Sequence, residues 1–208
     1  MMEKFVVLWN IFMPMTYLFL QYFADHLSIN SFITPLAYPH KALFPISYFT
    51  YYAFAHNVGK LLGRAYLLIV SITCLSVAYH LQMKSTWILT AIGNALMFVF
   101  VFASWFHYVE EVEITLALCF IMGLITESNY ANSALLVHKK FTDASNREFA
   151  LGILTLGSSA ASYAAGLLGL FVKSYLTHHC LFELELGKSC LPRFSHFSGW
   201  NTNTNTHC

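Results

Sequence analysis

The chain has 208 residues, of which 57% are hydrophobic, 17% aromatic and only 10% charged, with a net charge of +1. A soluble domain carries about 25% charged residues, so a solvated surface cannot be built from this composition. The near-neutral charge and the lack of a basic, aromatic-interleaved patch exclude nucleic acid as a partner. What remains is an all-α integral membrane protein whose main partner is the lipid bilayer.

Residues 5–23 form the first expected span, preceded by Lys4 and followed by Asp25 and His26. Bulky aromatics run to its end, which suits an uncleaved helix better than a signal peptide. Pro14 is expected to kink it. Residues 25–46, with Pro35, Pro39 and Pro45, read as a loop with room for a short turn of helix. A second, polar-spotted span covers 48–64 and extends toward 79, with a Gly59/Gly63 pair at the spacing used for close helix packing. Residues 87–106 make a clean third span, and an acidic loop (Glu110, Glu111, Glu113) leads to the fourth, 114–137. After a basic loop, 138–147, comes the fifth span, 149–172. Here Gly157, Ala161, Ala165 and Gly169 recur every fourth residue, a flat stripe on which another helix can lie closely. Residues 176–208 turn polar, end in a low-complexity run and are expected to be disordered.

The basic residues settle the count. With five spans, and leaving out the tail, Lys4, Lys60, Arg64, Lys84, Lys139, Lys140 and Arg147 share one side and only Lys41 falls on the other. The basic side is cytoplasmic by the positive-inside rule, which puts the N-terminus in the cytoplasm. A separate span at 65–79 would scatter these residues.

Polar residues inside the spans are the candidate sites. Glu127 leads, because a carboxylate at membrane depth faces a cavity or a partner and often marks a proton or substrate path. Asn129, Tyr130 and Asn132 accompany it, with Tyr130 on the Glu127 face. His56 and Asn57 form a second group. His56, Lys60 and Arg64 are four residues apart and stack on one face, a stripe suited to an anionic solute. Lys60 and Arg64 also read, with Lys139, Lys140 and Arg147, as topology anchors reaching the headgroups. Asp25 is either a gate or a solvated helix-end charge. His178, His179, Cys180 and Cys190 have metal-ligand types without closed tetrahedral spacing, so no metal is assigned. No cofactor motif or catalytic constellation is present, and an enzyme is the least supported class.

Three blocks carry a resemblance. Tyr22-Phe23-Ala24-Asp25 resembles the YFAE element of the battenin family. Gly123-Leu124 with Tyr130-Ala131-Asn132-Ser133 resembles its GLL…YVNT segment. Arg147-Glu148-Phe149-Ala150 followed by Gly166-Leu167-Leu168-Gly169-Leu170 resembles its REFA…GLLGL helix. The resemblance covers roughly residues 17–175. It implies an endolysosomal, major-facilitator-related protein of about twice this length, of which this chain corresponds to the C-terminal half. The implied function is lysosomal homeostasis through export of small solutes, glycerophosphodiesters or basic amino acids, and upkeep of lumenal pH. Half a facilitator offers one wall of a solute site, so an N-terminal half or a second copy is the expected partner. The alternatives are a trafficking scaffold recruiting partners through 138–147, and an inactive truncated product. Departures from the family include Met122 where it has an acidic residue and Ser158 where aspartate is frequent.

Overall fold

The computed structural model describes residues 2–36, 38, 45–73, 86–109 and 111–183. Among the described residues there are five long helices: α1 (Met2–Leu27), α2 (Pro45–Thr73), α3 (Thr86–Phe106), α4 (Val112–Lys140) and α5 (Ala144–His178). Wider π-type turns, Ser28–Phe32 and His179–Glu183, continue α1 and α5. Among the described residues no strand occurs. The fold is an all-α, multi-pass membrane bundle.

Among the described residues, four helices are long and apolar enough to cross a membrane: α1 with its extension, α3, α4 and α5. α2 has 29 residues, but Tyr48, Tyr51, Tyr52, His56, Asn57, Lys60 and Arg64 lower its hydropathy. Large apolar side chains on the outside, such as Trp9 (77% exposed) and Phe171 (74%), are tolerable only against lipid or another helix.

Cross-contacts fix the helix directions. Met15 packs at Gly157 and Ser31 at Gly169, so α1 and α5 run parallel. The Thr90 hydroxyl donates to the Tyr17 carbonyl, and Gln21 lies on Gly93, which aligns α3 with α1. α2 and α4 run the other way: His56 meets Gly123, Arg64 meets Glu127 and Tyr66 meets Asn132. Directions therefore alternate along the chain, and α2 ends where α3 begins, at one end of the bundle. Lys4, Lys139, Lys140 and Arg147 lie at that end. Residues 74–79, Lys41 and Lys84 lie outside the described residues.

Several boundaries differ from the sequence reading, and the expected loop 138–147 narrows to residues 141–143, because α4 runs to Lys140 and α5 begins at Ala144. Asp25 is not at a solvated helix end, because α1 continues to Leu27 and turns onward to Phe32, burying it completely. Likewise 176–183 is helical rather than tail, since Leu176, His179 and Cys180 are buried and Trp105 packs at a tilt against His179 with ring centroids 4.1 Å apart. Residues 184–208 are not among those described.

Local chemistry explains the helix ends. Asp143 caps α5, accepting from the Asn146 backbone N–H at 3.0 Å. Pro14 lacks the N–H that would bond the Asn10 carbonyl, and Lys140 Nζ donates to that carbonyl at 3.1 Å instead. The freed acceptor thus ties the end of α4 to the start of α1.

The α3–α4 corner turns on His107, which adopts a left-handed φ of 49°. Its Nε2 lies 2.9 Å from the Sγ of Cys180, a disulfide-bonded residue. Burial, and then the neighbouring His179, hold the His107 imidazole below its ordinary 6.5. The folded corner thus resists protonation, and the unfolded chain binds more protons below that pH. Its stability is intact above about 6.5 and declines as pH falls from there toward the depressed folded value. In a variant keeping only Trp105, emission is expected to change between about pH 7 and 5, and His107→Phe is expected to flatten that change. A flat profile in the parent would count against the corner's titration.

Candidate functional site

Where α1, α2 and α4 meet, the polar residues pair off in two ionic clusters one helical turn apart. α2 supplies the cations because His56, Lys60 and Arg64, four apart, share one face. α1 supplies Asp25 and α4 supplies Glu127. His56 Nε2 lies 2.7 Å from Asp25 Oδ1, and Lys60 Nζ lies 2.8 Å from Asp25 Oδ2. Both oxygens of a fully buried carboxylate are engaged. In the second cluster Arg64 places Nε at 2.9 Å and Nη2 at 2.8 Å from Glu127 Oε2, while Tyr22 Oη donates to Oε1 at 3.0 Å.

Aromatic rings join the clusters. Lys60 Nζ sits 5.8 Å from the centre of the Tyr22 ring, and the Arg64 guanidinium lies 5.2 Å from that of Tyr130. Tyr22 and Tyr130 meet edge to face at 6.3 Å. Such rings attract cations through their negative faces. Tyr22 therefore touches both clusters, donating to Glu127 below while its ring faces Lys60 above.

Close backbone approach makes these contacts geometrically attainable. A Cβ at Gly59 would overlap the Phe120 carbonyl, one at Gly63 the Leu124 carbonyl, and one at Gly123 the His56 carbonyl. This close approach of α2 and α4 lets the Arg64 side chain reach Glu127 without leaving its helix face. Arg64 is nonetheless 63% exposed at its side chain, whereas Glu127 is only 7% exposed. The guanidinium lies at the edge of this five-helix body, open on one side.

The chemistry is that of two carboxylates shared among two fixed cations and an imidazole. A proton can pass between His56 and Asp25, and a charged solute can compete with either partner of an ion pair.

The structure brings together His56, Asp25, Lys60, Arg64, Glu127 and Tyr130. Lys60 and Arg64, expected at the headgroups, end on carboxylates instead. Asn57 is exposed and points away from this network. Asn129 turns away from Glu127 and donates to Thr90 Oγ1 at 2.9 Å, and Asn132 donates to Tyr66 Oη and to the Ser128 carbonyl. Gly157, Ala161, Ala165 and Gly169 are all buried on α5, toward α1. Arg147 opens α5, and Lys140 holds the Asn10 carbonyl. Sequence reasoning missed Tyr22 as a member of the site. Its signal was present, since Tyr22 lies three residues before Asp25 and so on the same helix face. Among the described residues no group of three or more His, Cys, Asp or Glu could hold a metal ion.

Comparison with known proteins adds the family. The family model described as CLN3 protein, the battenin family, matches residues 1–179. This chain belongs to the battenin family. Its site residues and its five helices up to His179 lie within the matched region. Two curated yeast relatives, each named Protein BTN1, from Candida glabrata and Saccharomyces cerevisiae, are 27% identical over 104 residues. The match covers 50% of this chain but only 25% of either relative, so the aligned stretch is about a quarter of their length. No solved structure matches.

Proposed function

We propose that this battenin-family membrane protein serves the lysosomal or late endosomal membrane by exporting small solutes, glycerophosphodiesters or basic amino acids, and by supporting lumenal pH. The observation that carries this reading is the pair of buried carboxylates, Asp25 held by His56 and Lys60, and Glu127 held by Tyr22 and Arg64. Ionised groups at this depth are costly, and they mark proton and substrate routes.

In facilitator-type transporters the solute site lies between two helical halves near the midplane. Arg64, exposed at the bundle edge beside a buried Glu127, is the side chain such a second half would meet. The five helices would then form one wall, completed by an N-terminal half or a second copy. The basic end is taken as cytoplasmic. Cys180, about 50 Å along α5 from Ala144 at 1.5 Å per residue, is disulfide-bonded, which suits an oxidising compartment on the far side.

Glu127→Gln tests the reading. It keeps side-chain size and the Tyr22 contact but removes the charge that holds Arg64. Solute efflux from vesicles carrying the protein is expected to fall by at least tenfold while the protein stays in the membrane. Unchanged efflux in the variant, together with impaired vesicle trafficking on loss of the protein, would favour the scaffold reading, centred on 138–147. Degradation of the parent chain unless the proteasome is inhibited would favour an inactive product.

A further inference from the structure

The far end of the bundle, opposite Lys4, Lys140 and Arg147, holds a cavity that the ionic clusters do not use. Its volume is about 280 Å³, and Asn30, Thr34, Phe49 and Lys173 line it. Three elements meet there: the π-type turn that extends α1 with the residues just after it, the start of α2 and the last turns of α5. Lys173 is exposed and, among the described residues, pairs with no carboxylate. The Asn30 side-chain amide has no hydrogen bond among them either, while its backbone carbonyl accepts from the Thr34 hydroxyl at 3.2 Å. A cavity lined by a cation and no carboxylate favours a negatively charged group. The amide N–H groups of Asn30 offer its oxygens a second donor.

Position and shape decide what carries that charge. Lys173 lies about 39 Å along α5 from Arg147 at 1.5 Å per residue, and a bilayer with its headgroups is about 40–45 Å thick. With Arg147 in one headgroup layer, Lys173 stands in the other. Ligand sites start at about 300 Å³, so this cavity takes a headgroup and not a whole phospholipid. The acyl chains have a surface outside it. Leu170 and Gly166 lie one and two turns before Lys173 on the same face of α5. Leu170 is 70% exposed, and a Cβ at Gly166 would meet nothing within 4 Å. A soluble anion gains nothing from that apolar track, and a zwitterionic headgroup brings its own ammonium toward Lys173.

We propose that this cavity holds the phosphate of an anionic phospholipid in the leaflet opposite the basic end, bound by Lys173 Nζ and the Asn30 amide, with its acyl chains along Leu170 and Gly166. The site rests on the membrane-spanning fold and not on the transport reading, because it needs only a lipid that stays in place.

Thermal unfolding of the full chain in neutral detergent micelles tests it, with phosphatidylglycerol replacing phosphatidylcholine at fixed total lipid. The parent is expected to show a saturable rise in midpoint with phosphatidylglycerol. Lys173→Gln, at an exposed position, should leave the midpoint in phosphatidylcholine unchanged. It should raise the half-saturating phosphatidylglycerol fraction by about fivefold, the worth of one lysine at an anionic surface. Asn30→Ala changes no charge and should raise that fraction by about twofold, the loss of one hydrogen bond. Lys139→Gln, at the other end, should leave it in place. No rise with phosphatidylglycerol, or equal losses in Lys173→Gln and Lys139→Gln, would overturn the site by showing that no built pocket selects the lipid. A loss in Lys173→Gln with none in Asn30→Ala would also overturn it, since the headgroup would then lie outside the cavity. The same rise on adding inorganic phosphate to phosphatidylcholine micelles, lost in Lys173→Gln, would overturn the lipid and place a soluble phosphate there.

Discussion

Asp25→Ala is expected to destabilise the protein by about 3–5 kcal/mol, the range found when one partner of a buried ion pair is removed. The physical reason is the charge left behind. Asp25 is fully buried, and its two oxygens hold His56 at 2.7 Å and Lys60 at 2.8 Å. Without it, Lys60 loses the carboxylate it pairs with, and its ammonium group must reorganise or remain unpaired in a low-dielectric interior. The double change Asp25→Asn with Lys60→Met removes both charges at nearly constant volume and is expected to recover most of the loss, because a missing pair costs less than a broken one. Thermal or denaturant unfolding of the purified variants, followed by size-exclusion of the folded fraction, measures both. An alanine variant within about 0.5 kcal/mol of the parent, as at an ordinary surface site, would show that the pair is incidental.

This network also shows where reading the sequence reached its limit. The all-α membrane fold was legible, because long uncharged segments have few other physical solutions. The stripe His56, Lys60 and Arg64 was legible as well, since helical periodicity alone puts it on one face. Its partners were not. Asp25 looked terminal because three prolines follow within about twenty residues, but a π-type turn carries the helix past it before the first of them. Lys60 and Arg64 looked like anchors because anchoring needs only long basic side chains near a helix end. Which helix faces them depends on the α2–α4 crossing, a tertiary fact that the Gly59/Gly63 spacing hinted at without naming Gly123 as its counterpart. Asn57 was grouped with His56 as its neighbour in sequence. Adjacent residues on a helix point about 100° apart, so one is buried and the other faces outward.

Enlarging the glycines of that crossing is the other change with a large expected effect. Gly59 and Gly123 approach each other's helices so closely that a single added carbon meets backbone carbonyls, of Phe120 in one direction and of His56 in the other. Backbone has no rotamer to escape into, so the helices themselves must separate. Gly123→Ala is therefore expected to cost about 1–3 kcal/mol, as overpacking does elsewhere, and Gly123→Leu to abolish the folded bundle. Separation would also pull Arg64 away from Glu127 and Ser128 away from the Gly63 carbonyl, which it now reaches at 3.4 Å. Gly152 and Gly166 provide the opposite case on α5, where an added Cβ would meet nothing within 4 Å. Alanine there is expected to be neutral or to stabilise the helix by up to about 1 kcal/mol, the difference in helix propensity. Thermal unfolding of the alanine variants side by side would reveal this contrast in sign. Equal tolerance at Gly123 and Gly166 would mean that α2 and α4 do not cross at their glycines, and the ion pairs that depend on that crossing would lose their geometric basis.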